Sequence, residues 1–332
     1  MMCVRCCCAQ RARETETGGA LLIVLLLVAT LAFVALSIME RTSLAAARAA
    51  NDRARAETLW RGFGAEILAL AAIQAAYEAS PEKVSIDDPW ASEPVVVPME
   101  DGGARIFFAD ATACFNVNSL SANNESIALA KREFALLAAH LGLGEFEGEA
   151  MADVIADWID DDNAREPQGA EDSYYTALPT PYRTGGALIA DVSEMRAMRG
   201  MTRERYLTLK PFLCAHPVAA PSPVNINMMR PDDAPVLAAA LGRDISLTAA
   251  LDLINTRPPG GYRELASFWD QAPLQNFAFE GPTRERIKLI SQFVRARAEV
   301  GYDTSFLELT TMIEVSAGGA ARIVRRRIGA SE

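Results

Sequence analysis

The hydrophobic residues divide the chain into one long apolar segment near the N-terminus and a remainder in which apolar and polar positions alternate. Residues 19–39 carry no charged side chain, and a helix of this length spans a bilayer core of roughly 30 Å. A secretory signal has a shorter apolar stretch, roughly 7–15 residues, followed by a small-x-small cleavage site. Residues 37–41 contain no such site. The pattern therefore predicts a transmembrane anchor.

The helical pattern continues beyond the apolar segment. Residues 40–79 contain no proline and are rich in alanine, leucine, arginine and glutamate, which are strong helix formers. The sequence Ser80-Pro81 then ends the helix. We expect one rod of about 60 residues, embedded in lipid at its start and packed on a folded domain at its end. Apolar residues recur on one predicted face at three- and four-residue steps: Leu59, Phe63, Ile67, Leu70 and Ile73.

The remainder of the chain has the pattern of an α+β fold. Residues 95–97 and 104–108 are β-rich runs on either side of a turn, which predicts a hairpin. Three later runs also read as strands, and we expect them to complete the same small antiparallel sheet: 291–300, 306–315 and 320–327. Between the two sets of strands, helical patterns predict a large, mostly helical insertion: 127–141, 149–159, 234–241, 247–255 and 264–269.

Charge narrows the possible functions. The chain has a net charge of −11, and a domain this acidic is an improbable nucleic-acid binder but suits divalent cations. Arginines precede the apolar segment at positions 5, 11 and 13, which favours a cytoplasmic N-terminus and places the bulk of the chain on the other side of the membrane.

The strongest candidate for a site is a cluster of carboxylates. Four aspartates lie at the C-terminal end of a predicted helix, where the helix dipole disfavours anions. Calcium bound by several oxygen ligands would offset their repulsion, and the absence of nearby histidine or cysteine favours calcium over zinc. A solvated acidic loop and a catalytic carboxylate pair are the alternatives; the spacing is not that of an EF-hand. The six carboxylates are Asp157, Asp160, Asp161, Asp162, Glu171 and Asp172.

The N-terminal pattern resembles that of type IV pilins and pseudopilins. In those proteins a polar leader ends in glycine, and a prepilin peptidase cuts after this glycine on the cytoplasmic side and methylates the new amine. The resemblance implies cleavage after Gly18, so that Gly19 becomes the first residue; cleavage after Gly19 is the alternative. Most pilins carry glutamate at the fifth mature position, whereas this chain carries Ile23 (Val24 under the alternative).

A second resemblance covers nearly the whole chain. The block DWIDDDN…GAEDSYY, followed by SEMRAMRGMT and PFLC and flanked by FNVN and VNIN, resembles the helical insertion of the minor pseudopilin K family of type II secretion. This resemblance implies a structural protein, not an enzyme, at the tip of a periplasmic pseudopilus, where it begins or caps assembly for the export of folded proteins across the outer membrane. The implied partners are minor pseudopilins I and J, other pseudopilins, the inner-membrane assembly platform and prepilin peptidase, but no nucleic acid.

The same resemblance implies two further features. Members of the family bind calcium in this domain, which favours a structural calcium site formed by Asp160, Asp162, Glu171 and Asp172, with Asp157 and Asp161 as further candidates. A periplasmic location favours a disulfide between Cys114 and Cys214, which would clamp the two necks of the insertion. Two free thiols, or a nucleophilic cysteine beside His216, are the alternatives.

The predicted organisation has six segments, of which the two helical ones are expected to be SAM-like or helix-hairpin modules. Two other functions remain as alternatives: a membrane-anchored periplasmic metal-dependent hydrolase and a DNA-binding competence-type pilin. The segments are a prepilin leader (1–18), the transmembrane and amphipathic helix (19–80), the first part of the sheet (81–113), the first helical module with the acidic loop (114–216), the second module (217–288) and the closing strands (289–332).

Overall fold

The structure is a computed structural model, and it describes residues 17–121, 126–279, 281–316 and 318–329. Of the predicted leader, residues 1–16 lie outside this description. Helix α1 (Thr17–Ala79) is continuous over 63 residues, so the predicted rod is confirmed. Its first part is apolar and long enough to cross a membrane, by length and composition.

From Thr58 onwards the chain forms one compact unit, in which the last turns of α1 pack on a sheet. The buried face of α1 consists mainly of small residues, and the predicted face is wrong in one respect, because Ile67 is 64% exposed. Small side chains on this face leave room for the strands that pack against it. The buried residues on this face are Thr58, Gly62, Ala65, Glu66, Ala69, Ile73 and Tyr77.

The sheet is antiparallel and five-stranded. Its strands are β1 (Val95–Met99), β2 (Gly102–Asp110), β7 (Phe293–Tyr302), β8 (Ser305–Val315) and β9 (Ala321–Ile328), and they lie in the order β1-β2-β7-β8-β9. The N-terminal hairpin pairs with the three closing strands through β2 and β7, where Gly102 faces Tyr302 and Asp110 faces Val294. The prediction that both sets of strands form one sheet is therefore confirmed.

Residues 111–292 form a mostly helical insertion between β2 and β7. Its helices share one hydrophobic core, which extends from Phe115 to Leu289. Its helices and two-residue strands are β3 (Phe115–Asn116), α3 (Ile127–His140), α4 (Glu145–Ile159), α5 (Asp172–Tyr175), α6 (Arg203–Leu209), β4 (Leu213–Cys214), β5 (Val224–Asn225), α7 (Ala234–Leu241), α8 (Leu247–Asn255), α9 (Leu265–Trp269), α10 (Gly281–Arg286) and β6 (Ile287–Lys288); α2 (Pro89–Ser92) precedes the sheet.

The repeated Asn-x-Asn motif has the same role at the start of each helical module. In the first motif, the amide oxygen of Asn118 accepts the Ile189 N–H (2.8 Å), and its amide nitrogen donates to the Ile189 carbonyl (2.9 Å). In the second, Asn227 makes the same pair of bonds with the backbone of Tyr262 (2.7 and 3.0 Å). Both asparagines are fully buried, so these bonds satisfy backbone groups that water cannot reach.

Candidate functional site

The acidic cluster is built on the C-terminal end of α4. Residues 151, 154, 155 and 158 of this helix face the core, and this packing fixes the orientation of its last turn. Asp157 lies in that turn and is fully buried, and Asp160 follows as the C-cap. A loop then brings Glu171, which is 4% exposed, back to the end of the helix.

Asp157, Asp160 and Glu171 converge on one point. Each offers a carboxylate oxygen, and these oxygens lie within 4.8 Å of one another. Three buried oxygens in the cluster have no hydrogen-bond partner among the residues that the structure describes: Asp157 Oδ2, Asp160 Oδ1 and Glu171 Oε1. Oxygens that bind one calcium ion at 2.3–2.6 Å can be no more than about 5 Å apart, so this spacing fits a shared cation.

The carboxylates of the cluster repel one another. Burial, together with the charges of Asp162 and Asp157, raises the pKa of Asp160 to about 6. Burial, together with the charges of Asp157 and Asp160, likewise raises the pKa of Glu171 to about 7. A divalent cation would supply the missing positive charge and satisfy the unpaired oxygens, so the residues present fit a hard metal ion.

The loop that closes the cluster is tied to its surroundings. Asp157 Oδ1 accepts the backbone N–H of Glu166 at 3.0 Å, which leaves Oδ2 as the free oxygen. Gly169 passes so close to Asp157 that a Cβ atom at this position would overlap the carboxylate. Arg199 donates to the Gly169 carbonyl at 2.9 Å, and Asp153 accepts the Gln168 N–H at 3.1 Å. The loop is therefore held in place by protein contacts on both sides of the cluster.

The other predicted ligands point elsewhere or lie at the edge. Asp172 Oδ1 accepts from the Thr184 backbone and hydroxyl, and Oδ2 lies 3.4 Å from Arg183. Asp162 is exposed, and its Oδ1 accepts the Ala164 N–H. Asp161 is also exposed. The structure thus brings together Asp157, which was only a further candidate, with Asp160 and Glu171.

Cys114 and Cys214 form the disulfide that joins the two necks of the first helical module, with their Cα atoms 5.8 Å apart. Neither of them is therefore a free thiol. His216 is fully buried beside the bond, with Nε2 at 3.7 Å from Cys114 Sγ and its ring stacked on Phe293. Burial lowers the pKa of His216 to about 4, so this ring is neutral at physiological pH.

One buried contact was not predicted from the sequence. Glu133 on α3 and Arg286 on α10 form a two-bond ion pair, in which Nη2 donates to Oε1 at 2.9 Å. Both side chains are nearly inaccessible, at 2% and 10% exposure. Glu133 occupies a buried position of an amphipathic helix, which is the only signal in the sequence that it needs a partner.

The predicted processing site and the position that lacks glutamate both lie in α1. Gly18 and Gly19 belong to its first turn, and among the described residues no side chain comes within 4 Å of a Cβ atom placed at Gly19. Ile23 is 62% exposed, in an apolar stretch in which the large side chains are exposed. An exposed apolar side chain at this position suits a lipid environment or a neighbouring apolar helix.

Comparison with known proteins agrees with this architecture. Two family models for type II secretion system protein K match residues 113–218 and 224–289, which together make up just over half of the chain. The chain belongs to the type II secretion system protein K family. Type II secretion system protein K of Pectobacterium carotovorum is 31% identical over 326 residues, covering 96% of this chain and 98% of its own length. The Klebsiella pneumoniae protein is 32% identical over 264 residues, covering 78% and 81%.

Membership of the protein K family also agrees with a solved structure. The fold is similar to a chain in the crystal structure of the GspK–GspI–GspJ complex from the type II secretion system of enterotoxigenic Escherichia coli, with a TM-score of 0.73 and 26% identity. The match covers 86% of this chain and all of that one. As a protein K family member with a long apolar N-terminal helix, the chain is a minor pseudopilin of type II secretion.

Proposed function

We propose that this minor pseudopilin forms the tip of a type II secretion pseudopilus in complex with minor pseudopilins I and J. The observation that carries the proposal is the similarity to a chain of the GspK–GspI–GspJ complex over 86% of this sequence. In this function the chain begins or caps the pseudopilus that exports folded proteins across the outer membrane. The inner-membrane assembly platform and other pseudopilins are its further partners.

Two features of the chain support the tip position. In pilin-like fibres the fifth-residue glutamate of an incoming subunit is thought to pair with the N-terminal amine of the subunit above it. Ile23 cannot form this pair, so nothing selects this chain to join beneath another subunit. The insertion at residues 111–292 also adds bulk to the sheet, which would crowd a subunit above it in a helical fibre. Both properties suit a first subunit.

Processing and topology follow from the same proposal. Prepilin peptidase removes residues 1–18 and methylates Gly19, and α1 first anchors the chain in the bacterial inner membrane with the N-terminus in the cytoplasm. The folded unit from Thr58 onwards then lies in the periplasm, where the Cys114–Cys214 disulfide is stable. N-terminal sequencing with and without the peptidase tests this step. A mature chain that starts elsewhere than Gly19 or Ala20 would contradict it.

The tip position is tested by restoring the missing glutamate. We expect Ile23→Glu to allow entry along the fibre, so that the ratio of this chain to the major pseudopilin in sheared pseudopili rises. Ile23→Gln is the matched control, because it is polar but carries no charge and should leave the ratio unchanged. If pseudopilins I and J did not co-purify with the wild-type chain, this result would argue against the complex itself.

We also propose that Asp157, Asp160 and Glu171 hold a structural calcium ion, with Asp162 at the edge of the site. When bound, the ion supplies positive charge to the cluster. The chain's own contribution is to hold these carboxylates together: α4 positions Asp157 and Asp160, and Gly169 leaves room for the carboxylate of Asp157. Such a site would tie the end of α4 to the start of α5. Its role would be structural and not catalytic.

Thermal unfolding of the full chain in detergent tests the calcium site. At a calcium concentration one hundred times the dissociation constant, binding stabilises the fold by about 2.7 kcal/mol, so Tm should be several degrees higher with calcium than with EDTA. Asp157→Ala should abolish this difference. Glu149→Ala removes an exposed carboxylate from the same helix and should retain it. Equal Tm values for the wild type under both conditions would refute the site.

A further inference from the structure

A second polar site lies in a cleft between the outer face of the sheet and the helical insertion. The cleft has a volume of about 710 Å³, which is in the range of pockets that hold whole organic ligands and far exceeds the size of one ion. It lies beside the disulfide, and its lining does not include Asp157, Asp160 or Glu171 of the acidic cluster. Its basic side chains outnumber its acidic ones by six to three, although the chain as a whole is acidic: Lys210, Arg230, Arg295, Arg325, Arg326 and Arg327.

The sheet register positions two of these arginines. Ala109, Arg295, Met312 and Arg325 are successive cross-strand partners on β2, β7, β8 and β9, so their side chains lie in one row on the same face. Arg295 and Arg325 are therefore separated by two strand spacings, about 10 Å, with Met312 between them. At its β2 end the row lies next to residue 111, where the insertion begins. Arg230, which belongs to the insertion, also lines the cleft.

The six cations differ in whether the protein already engages their side chains. Arg325, Arg326 and Arg327 are engaged by the Ala190 and Ala215 carbonyls, Glu66 and Asp191. In contrast, the side chains of Arg230 and Arg295 make no ion pair within 4 Å and no hydrogen bond in the part of the chain that the structure describes. Partial loss of hydration in the cleft lowers the pKa of Arg295; the charge of Asp110 opposes this shift, and the neighbouring arginines add to it.

The acidic side chains in the cleft are already engaged. Asp110 accepts the backbone N–H groups of Thr112 and Ala113 and the Thr112 hydroxyl, at 2.7–3.1 Å. Asp191 accepts the Ser193 N–H at 2.9 Å, and Asp233 accepts the Arg230 N–H at 2.8 Å. The Thr310 hydroxyl, which also lines the cleft, is buried and has no hydrogen-bond partner among the residues that the structure describes. The cleft thus presents the exposed guanidinium groups of Arg230 and Arg295 to a ligand.

We propose that this cleft binds a carboxylate group presented by an acidic peptide segment of a partner protein, with Arg230 and Arg295 as the anchoring cations. A guanidinium group binds a carboxylate through two parallel hydrogen bonds, which gives direction as well as charge. The remaining walls include Ile86, Met228 and Met312. Methionine side chains adapt to different apolar partners, so these walls suit the hydrophobic residues that flank an acidic one in a peptide.

Fluorescence anisotropy with the full chain in detergent tests this proposal. The probe is a labelled heptapeptide in which aspartate and glutamate alternate with leucine, and its control replaces each acid with the corresponding amide. We expect saturable binding of the acidic peptide, weakened at least about tenfold in the Arg230→Gln/Arg295→Gln double variant, because this variant loses the charged hydrogen bonds of both guanidinium groups. Arg322→Gln, on the same sheet but paired with Glu314 outside the cleft, should bind normally.

Several outcomes would overturn the proposal. If the double variant bound the acidic peptide as tightly as the wild type does, the two arginines would have no role. If the wild type bound the amide peptide as tightly as the acidic one, the carboxylate would have no role. Binding of succinate without binding of the peptide would assign the cleft to small carboxylates. Displacement of the peptide by inorganic phosphate at a lower concentration than by succinate would assign it to phosphate. Matching thermal unfolding curves for the variants and the wild type exclude misfolding as the cause.

Discussion

The sheet unit and the helical insertion of the same chain are stabilised in different ways. In the sheet unit, β2, β7 and β8 pair along nearly their whole length, and α1 covers one face with small apolar residues. The stabilising contacts are numerous, similar and regularly spaced. In the insertion, helices of 4 to 15 residues are connected by irregular segments and share one hydrophobic core, and a few specific polar or covalent contacts also join distant parts of the chain.

This difference shows which part of the molecule depends on single residues. Loss of one contact in the sheet leaves its neighbours in place, because each strand is held by many equivalent bonds. In the insertion, the disulfide, the Glu133–Arg286 pair and the acidic cluster each act alone. We therefore expect single substitutions to have larger effects in the insertion, and the following variants test this expectation.

The disulfide should have the largest effect. It closes a loop of 100 residues, and the chain-entropy model gives about 4–5 kcal/mol for a loop of this length. We expect Cys114→Ala/Cys214→Ala to lower the free energy of unfolding by up to this amount, measured by guanidinium denaturation. Reduction of the wild type should produce the same loss. An unchanged denaturation midpoint would show that the insertion does not depend on this clamp.

The buried ion pair should come next. Glu133→Ala leaves the Arg286 guanidinium buried without its counter-ion, which typically costs about 3–5 kcal/mol. Glu147→Ala is the matched control, because the Glu147–Arg205 pair (2.7 Å) is partly exposed, at 48% and 30%, and contributes about 0–1 kcal/mol. Similar losses of unfolding free energy in both variants would mean that burial does not distinguish the two pairs.

Much of the fold could be predicted from the sequence because it rests on periodic patterns. The strands and most helices repeat apolar residues at the spacing of their own geometry, and two matching Asn-x-Asn motifs mark the two modules. The buried face of α1 was less predictable. Ala65 and Ala69 are buried against the sheet whereas the larger Ile67 is exposed, so the positions of the large apolar side chains do not identify the buried face.

The candidate site was predictable as a region but not as a set of residues. Six carboxylates in a short segment indicate a cation, and calcium remains a prediction. Which carboxylates meet depends on the loop after α4, whose course is set by contacts of Arg199 and Asp153 with the backbone near Gly169. The pairing of Glu133 with Arg286 spans 153 positions, and no local pattern encodes it.

The acidic loop offers a smaller and more local test. A Cβ atom at Gly169 would overlap Asp157, so we expect Gly169→Ala to cost about 1–3 kcal/mol and to reduce the calcium-dependent change in Tm. Gly64→Ala is the control in the sheet unit. Its site in α1 is exposed with no atom within 4 Å of the new Cβ, so this change should stabilise the helix by up to about 1 kcal/mol. If both variants changed the free energy of unfolding by the same amount and in the same direction, the two regions would not differ in their sensitivity to a single substitution.

The smallest expected effect concerns pH at the junction of the two regions, where His216 of the insertion stacks on Phe293 of β7. Burial lowers the pKa of His216 to about 4, below its ordinary value of 6.5. Between these values the unfolded chain binds a proton that the folded chain does not, so stability is present above pH 6.5 and declines as the pH falls towards 4. The contribution lost between pH 7 and pH 5 is on the order of 1–2 kcal/mol.

His216→Phe keeps the stacking but has no titrating group, so its unfolding free energy should fall less than that of the wild type over this range. An identical decline in both proteins would show that other groups, and not this junction, set the response to acid.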